Sequence, residues 1–516
     1  MSDDLAALEP DAPAVEPAPG TSVPASVTDR PGSRHRNLGR PSGLIACLLV
    51  AIAMVGLLAS TPPSAGSDEP VQQATAWYLS GHLLAPDGTV EYPVPASLVV
   101  VPCFAYHPDQ SAACMPAHSS EMASYGEVLN YPPPYFWVVG AGQRVAALFG
   151  LQYAADGGRI ASILLNLGAL LLLSLYMRRR SRFWGSFLLL VLTPTAVFLN
   201  AVVNPSGWEI TCGLVMAAVL SQTAWSRRSE GEPRAWLNRE IAILAIASIA
   251  LSTARPLGFV WAAGLTVSAI ALAPSIQRRG MWRIACAVAP GIVMGALWYR
   301  AHTYGVAAPV TLPGFVQAFS ATFMNYGAYI HQMFGGLGWV DTWMPGVLML
   351  LNFAAWAVLL TRLPSIRIAA KVTGIVGVVV VPCAISASVW AAWPGWWQGR
   401  YDMPFLIGFV MLLLLRSGTF IPRTISTVSG ISLLSLGIMV WVNEIRYGFG
   451  LNGYSLPASL GTPGISHVRL GISAVLGAIL VVISGYLLAK AWRSKPDPIP
   501  GDEPERLLTP TEVGVG

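Results

Sequence analysis

An all-α polytopic membrane protein is the fold class that three features of the sequence predict. Charged residues are 11% of the 516 and the hydrophobic set is 54%, where a soluble globular chain carries about 25% charged residues. Apolar runs long enough to cross a hydrocarbon core of about 30 Å recur along the chain. The basic residues fall in short clumps between those runs, which is how a membrane protein marks its cytoplasmic side and not how a nucleic-acid-binding face is built.

In order, residues 1–42 are rich in Pro, Ala and Ser, first acidic and then basic, without apolar periodicity; they read as a disordered cytoplasmic tail. The run Gly43 to Thr61 is too long and too far from the N-terminus for an ordinary secretory signal and reads as a retained anchor. Further runs follow at about 159–177, 184–200, 207–224, 240–256, 257–273, 284–300, 343–360, 372–389, 403–420, 425–442 and 470–490, making about 12 transmembrane helices in a membrane domain over 43–490. Residues 491–516 form a second disordered tail. The stretch 134–150 is apolar but interrupted by Gln143 and Arg144. If it does not cross, 24 of the 31 basic residues lie inside; if it does, every later segment inverts against the positive-inside rule. It is therefore expected to be re-entrant or interfacial, within a large outward loop over 62–158, with both termini cytoplasmic.

The cytoplasmic segments are short and basic and carry no phosphate-binding loop, which argues against ATP-driven work. No sequence repeat suggests a transporter made of inverted halves. The chemistry is expected in the outward segments 62–158, 301–342 and 443–469 and the Trp-rich turn at 390–402.

Ser67-Asp68-Glu69-Pro70 follows the first span, and Val71, Ala74, Tyr78 and Leu79 give an apolar stripe closed by Gly81. This predicts a short helix on the membrane surface. Asp68 or Glu69 can cap it, or can accept a proton from a sugar hydroxyl or hold a divalent cation such as Mg or Mn. Tyr131-Pro132-Pro133-Pro134-Tyr135 is an extended elbow. Asn204-Pro205-Ser206-Gly207-Trp208-Glu209 is a turn whose carboxylate, so close to hydrocarbon, needs a partner or a watery cavity. Asp341 closes a Gly-rich stretch, Gly335 to Thr342.

In Gln398-Gly399-Arg400-Tyr401-Asp402, Arg400 is an outward guanidinium flanked by aromatics, suited to clamp a phosphate. The plain alternative is an ion pair with Asp402 or Glu209. Arg255 is a second candidate for the same anion. Cys103 and Cys114 can pair in an oxidising compartment, which explains them more simply than a zinc site with His82, His107 and His118.

Taken together, Asp68-Glu69-Pro70, Asn204 to Glu209, Gly338 to Thr342 and Gln398 to Pro404 resemble, in order, the motifs of a family of polytopic bacterial membrane proteins known as domain of unknown function 2142. That family looks like the GT-C glycosyltransferases. The resemblance implies a bacterial plasma-membrane enzyme with a GT-C-like first outward loop carrying short surface helices, which transfers sugar from a polyprenyl-phosphate donor to an envelope acceptor. Asp68 matches the family's acidic residue, with Glu69 beside it as a second catalytic candidate. Arg400, Tyr401, Gln398, Asn204, Glu209, Asp341 and Arg255 are the substrate-binding set. The sequence departs from the family at Val71, Gln72 and Gln73, where a His often stands. Two other classes compete: a carrier or flippase for lipid-linked glycans, and a non-catalytic scaffold of envelope assembly. A carrier needs ionisable residues at mid-span, whereas here the polar residues collect at one face.

Overall fold

The structure, a computed structural model, describes residues 42–86, 91–116, 120–178, 180–225, 234–273, 278–302, 311–361, 368–389, 397–417, 422–451 and 465–493. Of the tails expected at 1–42 and 491–516, residues 1–41 and 494–516 lie outside the described residues, as does His118, while Ser42 opens the first helix and residues 491–493 close the last. The described chain is predominantly helical. Helix α1 (Ser42–Ser60) leads to α2 (Glu69–Leu79), α3 (Pro134–Ala147) and α4 (Ala154–Met177). Then come α5 (Trp184–Val191), α6 (Pro194–Ala201), α7 (Pro205–Trp225), α8 (Arg234–Ser252), α9 (Gly258–Leu272) and α10 (Arg278–Ala301). Two helices, α11 (Leu312–Met324) and α12 (Tyr326–Gly335), occupy the segment that the sequence suggested only as an outward loop. The rest are α13 (Gly346–Thr361), α14 (Ile368–Ile375) running through a π-turn into α15 (Val381–Val389), then α16 (Met403–Ser417), α17 (Pro422–Phe449) and α18 (His467–Arg493). Two small antiparallel ladders, β1 (Tyr92–Pro95) with β2 (Met122–Tyr125) and β3 (Gly336–Leu337) with β4 (Thr342–Trp343), tie down loops.

Six of the described helical stretches are long and apolar enough to cross a membrane, and shorter apolar helices lie at Gly258–Leu272, Gly346–Thr361 and Met403–Arg416. Their outward-turned side chains are large and apolar: Val468, Ile472, Val475, Ile479, Val482 and Tyr486 form one exposed stripe along α18, a face that suits lipid and not water. The run expected at 184–200 is broken: α5 and α6 meet at 82°. Pro194 is the reason. It cannot donate to the turn before it, and Thr193 caps the new helix by accepting the Ala196 N–H. The bend turns Thr193 and Thr195 so that their hydroxyls donate to the Met333 and Gln332 carbonyls of α12 at 2.6 and 2.8 Å. Between helices, close approach takes the place of water exclusion: a Cβ on Gly185 of α5 would run into the Ser42 carbonyl of α1.

The direction of the first helices places the loop chemistry. The start of α1 meets the end of α4, where Cys47 lies 3.1 Å from the Ser174 hydroxyl. The end of α1 meets the start of α4, where Arg159 donates to the Thr61 and Pro62 carbonyls at 2.8 and 2.7 Å. Residues 62–158 thus leave and return at the same end of the α1–α4 pair. Within them α3, 14 residues long and so about 21 Å at 1.5 Å per residue, packs on α2 and α4. Arg144 fastens it by stacking 3.6 Å over the Trp77 ring and donating to the Ser80 hydroxyl at 2.8 Å, while Val145, Leu148 and Phe149 stay exposed.

Cys103 and Cys114 are joined by a disulfide that closes a short loop. The loop lies on the end of α17, where Arg446 donates to the Gln110 and Phe104 carbonyls at 2.6 and 2.8 Å. In a variant with the other cysteines replaced, a thiol reagent is expected to label Cys103 and Cys114 only after reduction. Labelling at full stoichiometry without reductant would contradict the bridge.

Candidate functional site

The site grows from the link between α1 and α2. Pro70 fixes the first turn of α2, and Glu69 is fully buried beneath it. The Glu69 carboxylate accepts from Arg159 Nε at 2.7 Å, from the Val203 N–H at 3.1 Å and from the Gly66 N–H at 2.9 Å, and takes a second bond from Arg159 Nη2. Its acceptor positions are filled and none faces a cleft. The geometry does not suit the catalytic role the sequence suggested for Glu69: it is the keystone of the loop.

Asp68, one residue earlier, faces the other way. Its side chain is 47% exposed and its backbone is left-handed, with φ 60°. Arg400, delivered by a 3₁₀ turn at Gly399–Tyr401, pairs with the Asp68 carboxylate and also donates to the Ser67 carbonyl at 3.3 Å and the Tyr401 hydroxyl at 3.3 Å. Arg400 is only 5% exposed and its Nε–H is unpartnered among the described residues, an unspent donor at a place where an unmade bond is costly. Neither alternative pairing for Arg400 forms. Asp402 is buried and accepts from Trp397 Nε1 at 3.1 Å and from the Tyr326 hydroxyl at 3.2 Å, and burial pushes its carboxyl well above the usual range.

Glu209 instead faces Arg255, at 3.9 Å. That pairing is loose, and both Glu209 Oε1 and Arg255 Nε lack partners among the described residues. Arg255 donates to the Ser206 hydroxyl at 2.8 Å and lies 4.6 Å from the Tyr401 ring and 5.6 Å from the Tyr131 ring. Since Arg400 stands 5.2 Å from the Tyr401 ring, one tyrosine is shared by two guanidiniums. The proline elbow is therefore more than a bend, for it delivers Tyr131. Asn204 joins the turn to the site, donating to the Ser67 carbonyl at 3.2 Å while its own Oδ1 accepts the Ser206 N–H at 2.9 Å.

Asp341 closes the far side. It accepts from Arg446 at 3.1 Å and from the Tyr106 N–H at 3.2 Å. Gly338, at φ +66°, hands its carbonyl to the Ser67 hydroxyl at 2.9 Å, and a Cβ there would strike the Tyr447 hydroxyl. Gln398 lines a small cavity with Ser67, Thr195, Gln332, Gly338 and Arg400. Among the described residues, the non-glycine residues with left-handed backbone are Ser64, Asp68, Tyr106 and Val340. All four belong to the loops around this one site. Each such conformation costs on the order of 1–3 kcal/mol and survives only where the surroundings impose it, a pattern concentrated at functional sites.

The structure thus brings Asp68, Arg400, Tyr401, Gln398 and Asn204 together, sets Arg255 and Glu209 beside them through Tyr401, and keeps Asp341 at the edge. The sequence reading missed Arg159, Arg446 and Tyr106, and gave Ser67 and Trp339, which lie within its motifs, no part in the site. An arginine next to an apolar run, as at Arg159 and Arg446, is a signal that could have found two of them. A divalent cation does not fit these residues as they stand. Asp68, Glu69 and Glu209 each face their own arginine, and among the described residues no three His, Cys, Asp or Glu side chains gather. His82 stacks on Tyr78, away from any such cluster.

No curated protein matches the sequence. Among solved structures, an archaeal oligosaccharyltransferase, AglB from Archaeoglobus fulgidus in complex with an inhibitory peptide and a dolichol-phosphate, aligns at a TM-score of 0.38 and 11% identity, over 87% of this chain and 56% of that one. This chain spans little more than half the length of that enzyme, and so distant a likeness carries no argument about activity. The match at the level of sequence families covers residues 49–409 and so takes in Asp68, Asn204, Glu209, Arg255, Asp341 and Arg400. The chain belongs to the family described as predicted membrane protein (DUF2142).

Proposed function

We propose that the protein is an inverting glycosyltransferase of the bacterial plasma membrane, which moves a sugar from a polyprenyl-phosphate donor to an envelope glycan or lipid on the outer face. The observation that carries this reading is the contact of a half-exposed carboxylate, Asp68, with a buried arginine that keeps an unspent donor, Arg400. In this reading the spans number about 12, both termini are cytoplasmic, and residues 62–158 form the outward loop with 134–150 lying at its interface.

The lipid phosphate enters laterally and takes the place of Asp68 on Arg400, with Arg255 on the other side of Tyr401 as the second cation. Freed, Asp68 accepts the proton of the acceptor hydroxyl as that oxygen bonds to the anomeric carbon. The bond from that carbon to the phosphate oxygen breaks on the opposite face, and its electron pair leaves with the phosphate, whose charge the guanidiniums offset. The Ser206 hydroxyl holds Arg255 in place with Glu209 as a loose counter-charge, and Asn204 and Asp341 hold the Ser67 and Tyr106 backbones that frame the site. No step is assigned to a metal.

The test is transfer of radiolabelled sugar from a panel of polyprenyl-phosphate donors to envelope extract by protein in nanodiscs. Arg400→Ala is expected to lower kcat/KM for donor by about 10²- to 10³-fold, in line with the loss of one transition-state donor. Arg400→Lys should recover part of it, because a lysine keeps the charge without the guanidinium fork. Equal losses in the two variants would argue against a phosphate clamp. Donor binding without transfer by the wild type would favour a carrier.

A further inference from the structure

Tyr106 is 68% exposed, yet three separate segments converge to hold it. Its backbone is left-handed at φ 62°. Its N–H is anchored on Asp341, which Arg446 holds in turn, and the same arginine grips the disulfide loop at Phe104 and Gln110. Its ring meets Trp339 nearly edge-on, with centroids 5.5 Å apart, and Trp339 is pinned by its own N–H to the Ser64 carbonyl at 3.0 Å. A strained backbone that displays an exposed ring gives the fold little in return. The ring is also close to the chemistry: its neighbour Trp339 adjoins Gly338, whose carbonyl accepts from the hydroxyl of Ser67, the residue before Asp68.

We infer that Tyr106, backed by Trp339, is the floor of an acceptor subsite that takes the apolar face of a sugar ring, so that the acceptor is a glycan. The C–H groups on one face of a pyranose carry slight positive charge and pack on the negative face of an aromatic ring, while the hydroxyls at its rim remain free for Asp68. A rigidly mounted flat ring matches the flat, rigid face of a pyranose, whereas a flexible acyl or peptide chain gains less from that rigidity. The term acceptor rests on the glycosyltransferase reading, but the platform itself does not.

The experiment has two arms. In the first, saturation-transfer NMR follows gluco-, manno- and galacto-oligosaccharides on full-length protein in nanodiscs. Wild type and Tyr106→Phe are expected to bind at least one of them alike, and Tyr106→Ala to bind it about tenfold more weakly. No binding of any oligosaccharide to wild type, or equal binding by Tyr106→Ala and Tyr106→Phe, overturns the subsite. In the second, transfer kinetics should show a KM for acceptor about tenfold higher in Tyr106→Ala, with KM for donor unchanged. Transfer with an unaltered acceptor KM overturns the subsite and leaves the transferase reading standing. Tyr106-dependent binding with no transfer from any donor retains the platform and removes the transferase reading.

Discussion

Asp68→Asn is expected to lower kcat for sugar transfer by about 10²- to 10⁴-fold, the usual contribution of a general base, without weakening donor binding. Asparagine is the right replacement because it tolerates the left-handed backbone that Asp68 adopts at φ 60°, whereas alanine would add strain to the loss of charge. The expectation for the donor follows from Arg400, whose guanidinium pairs with Asp68. Without the carboxylate, that cation has no anionic competitor for the lipid phosphate. Donor affinity in Asp68→Asn should therefore match or exceed that of wild type, as measured by titrating a fluorescent polyprenyl phosphate into nanodiscs. A variant that keeps kcat within about threefold of wild type would remove Asp68 from the base role.

Much of this site was legible because its residue types are unusual where they stand. Asp68, Glu209 and Arg400 are charges at the ends of apolar runs, and such charges need partners. The partners themselves were not legible. Arg400 and Asp68 are 332 residues apart, Arg446 and Asp341 are 105 apart, and Arg159 and Glu69 are 90 apart; no spacing rule reaches across such distances. As the alternative to a phosphate clamp, the sequence reading consequently offered Arg400 only Asp402 or Glu209, by proximity or type, while the fold gives Asp402 to a tryptophan and a tyrosine and Glu209 to Arg255. The same limit applied to the helices. Long uniform runs such as α1 and α18 declare themselves by length, whereas the run at 184–200 hides an 82° bend at Pro194, and α11 and α12 were passed over because their runs, at 13 and 10 residues, fall below the length of a span.

The neighbouring acid should behave in the opposite way. Glu69 and Arg159 are both fully buried, and together they satisfy the Gly66 and Val203 amides and the Thr61 and Pro62 carbonyls. This single cluster therefore fastens the end of α1, the start of α2, the start of α4 and the approach to α7. Removing one member of a buried pair leaves an uncompensated charge, at a cost of about 3–5 kcal/mol. Glu69→Ala and Arg159→Ala should accordingly unfold or aggregate on extraction. Even Glu69→Gln is no quiet change, because both carboxylate oxygens accept from donors and an amide offers only one oxygen, turning its NH₂ toward another donor. It should lower the thermal midpoint in nanodiscs by several degrees and reduce transfer only in proportion to the folded fraction. The double variant Glu69→Met/Arg159→Met should recover part of the loss, since no lone charge remains, but not all of it, because the Gly66 and Val203 amides lose their partner while the Thr61 and Pro62 carbonyls keep only Arg469 and the Ala65 N–H. The two adjacent acids thus separate cleanly: Asp68→Asn with a normal midpoint and little turnover, Glu69→Gln with a depressed midpoint and normal turnover per folded molecule. A Glu69→Gln protein with an unchanged midpoint and a kcat reduced as far as that of Asp68→Asn would restore Glu69 to the chemistry and contradict the keystone assignment.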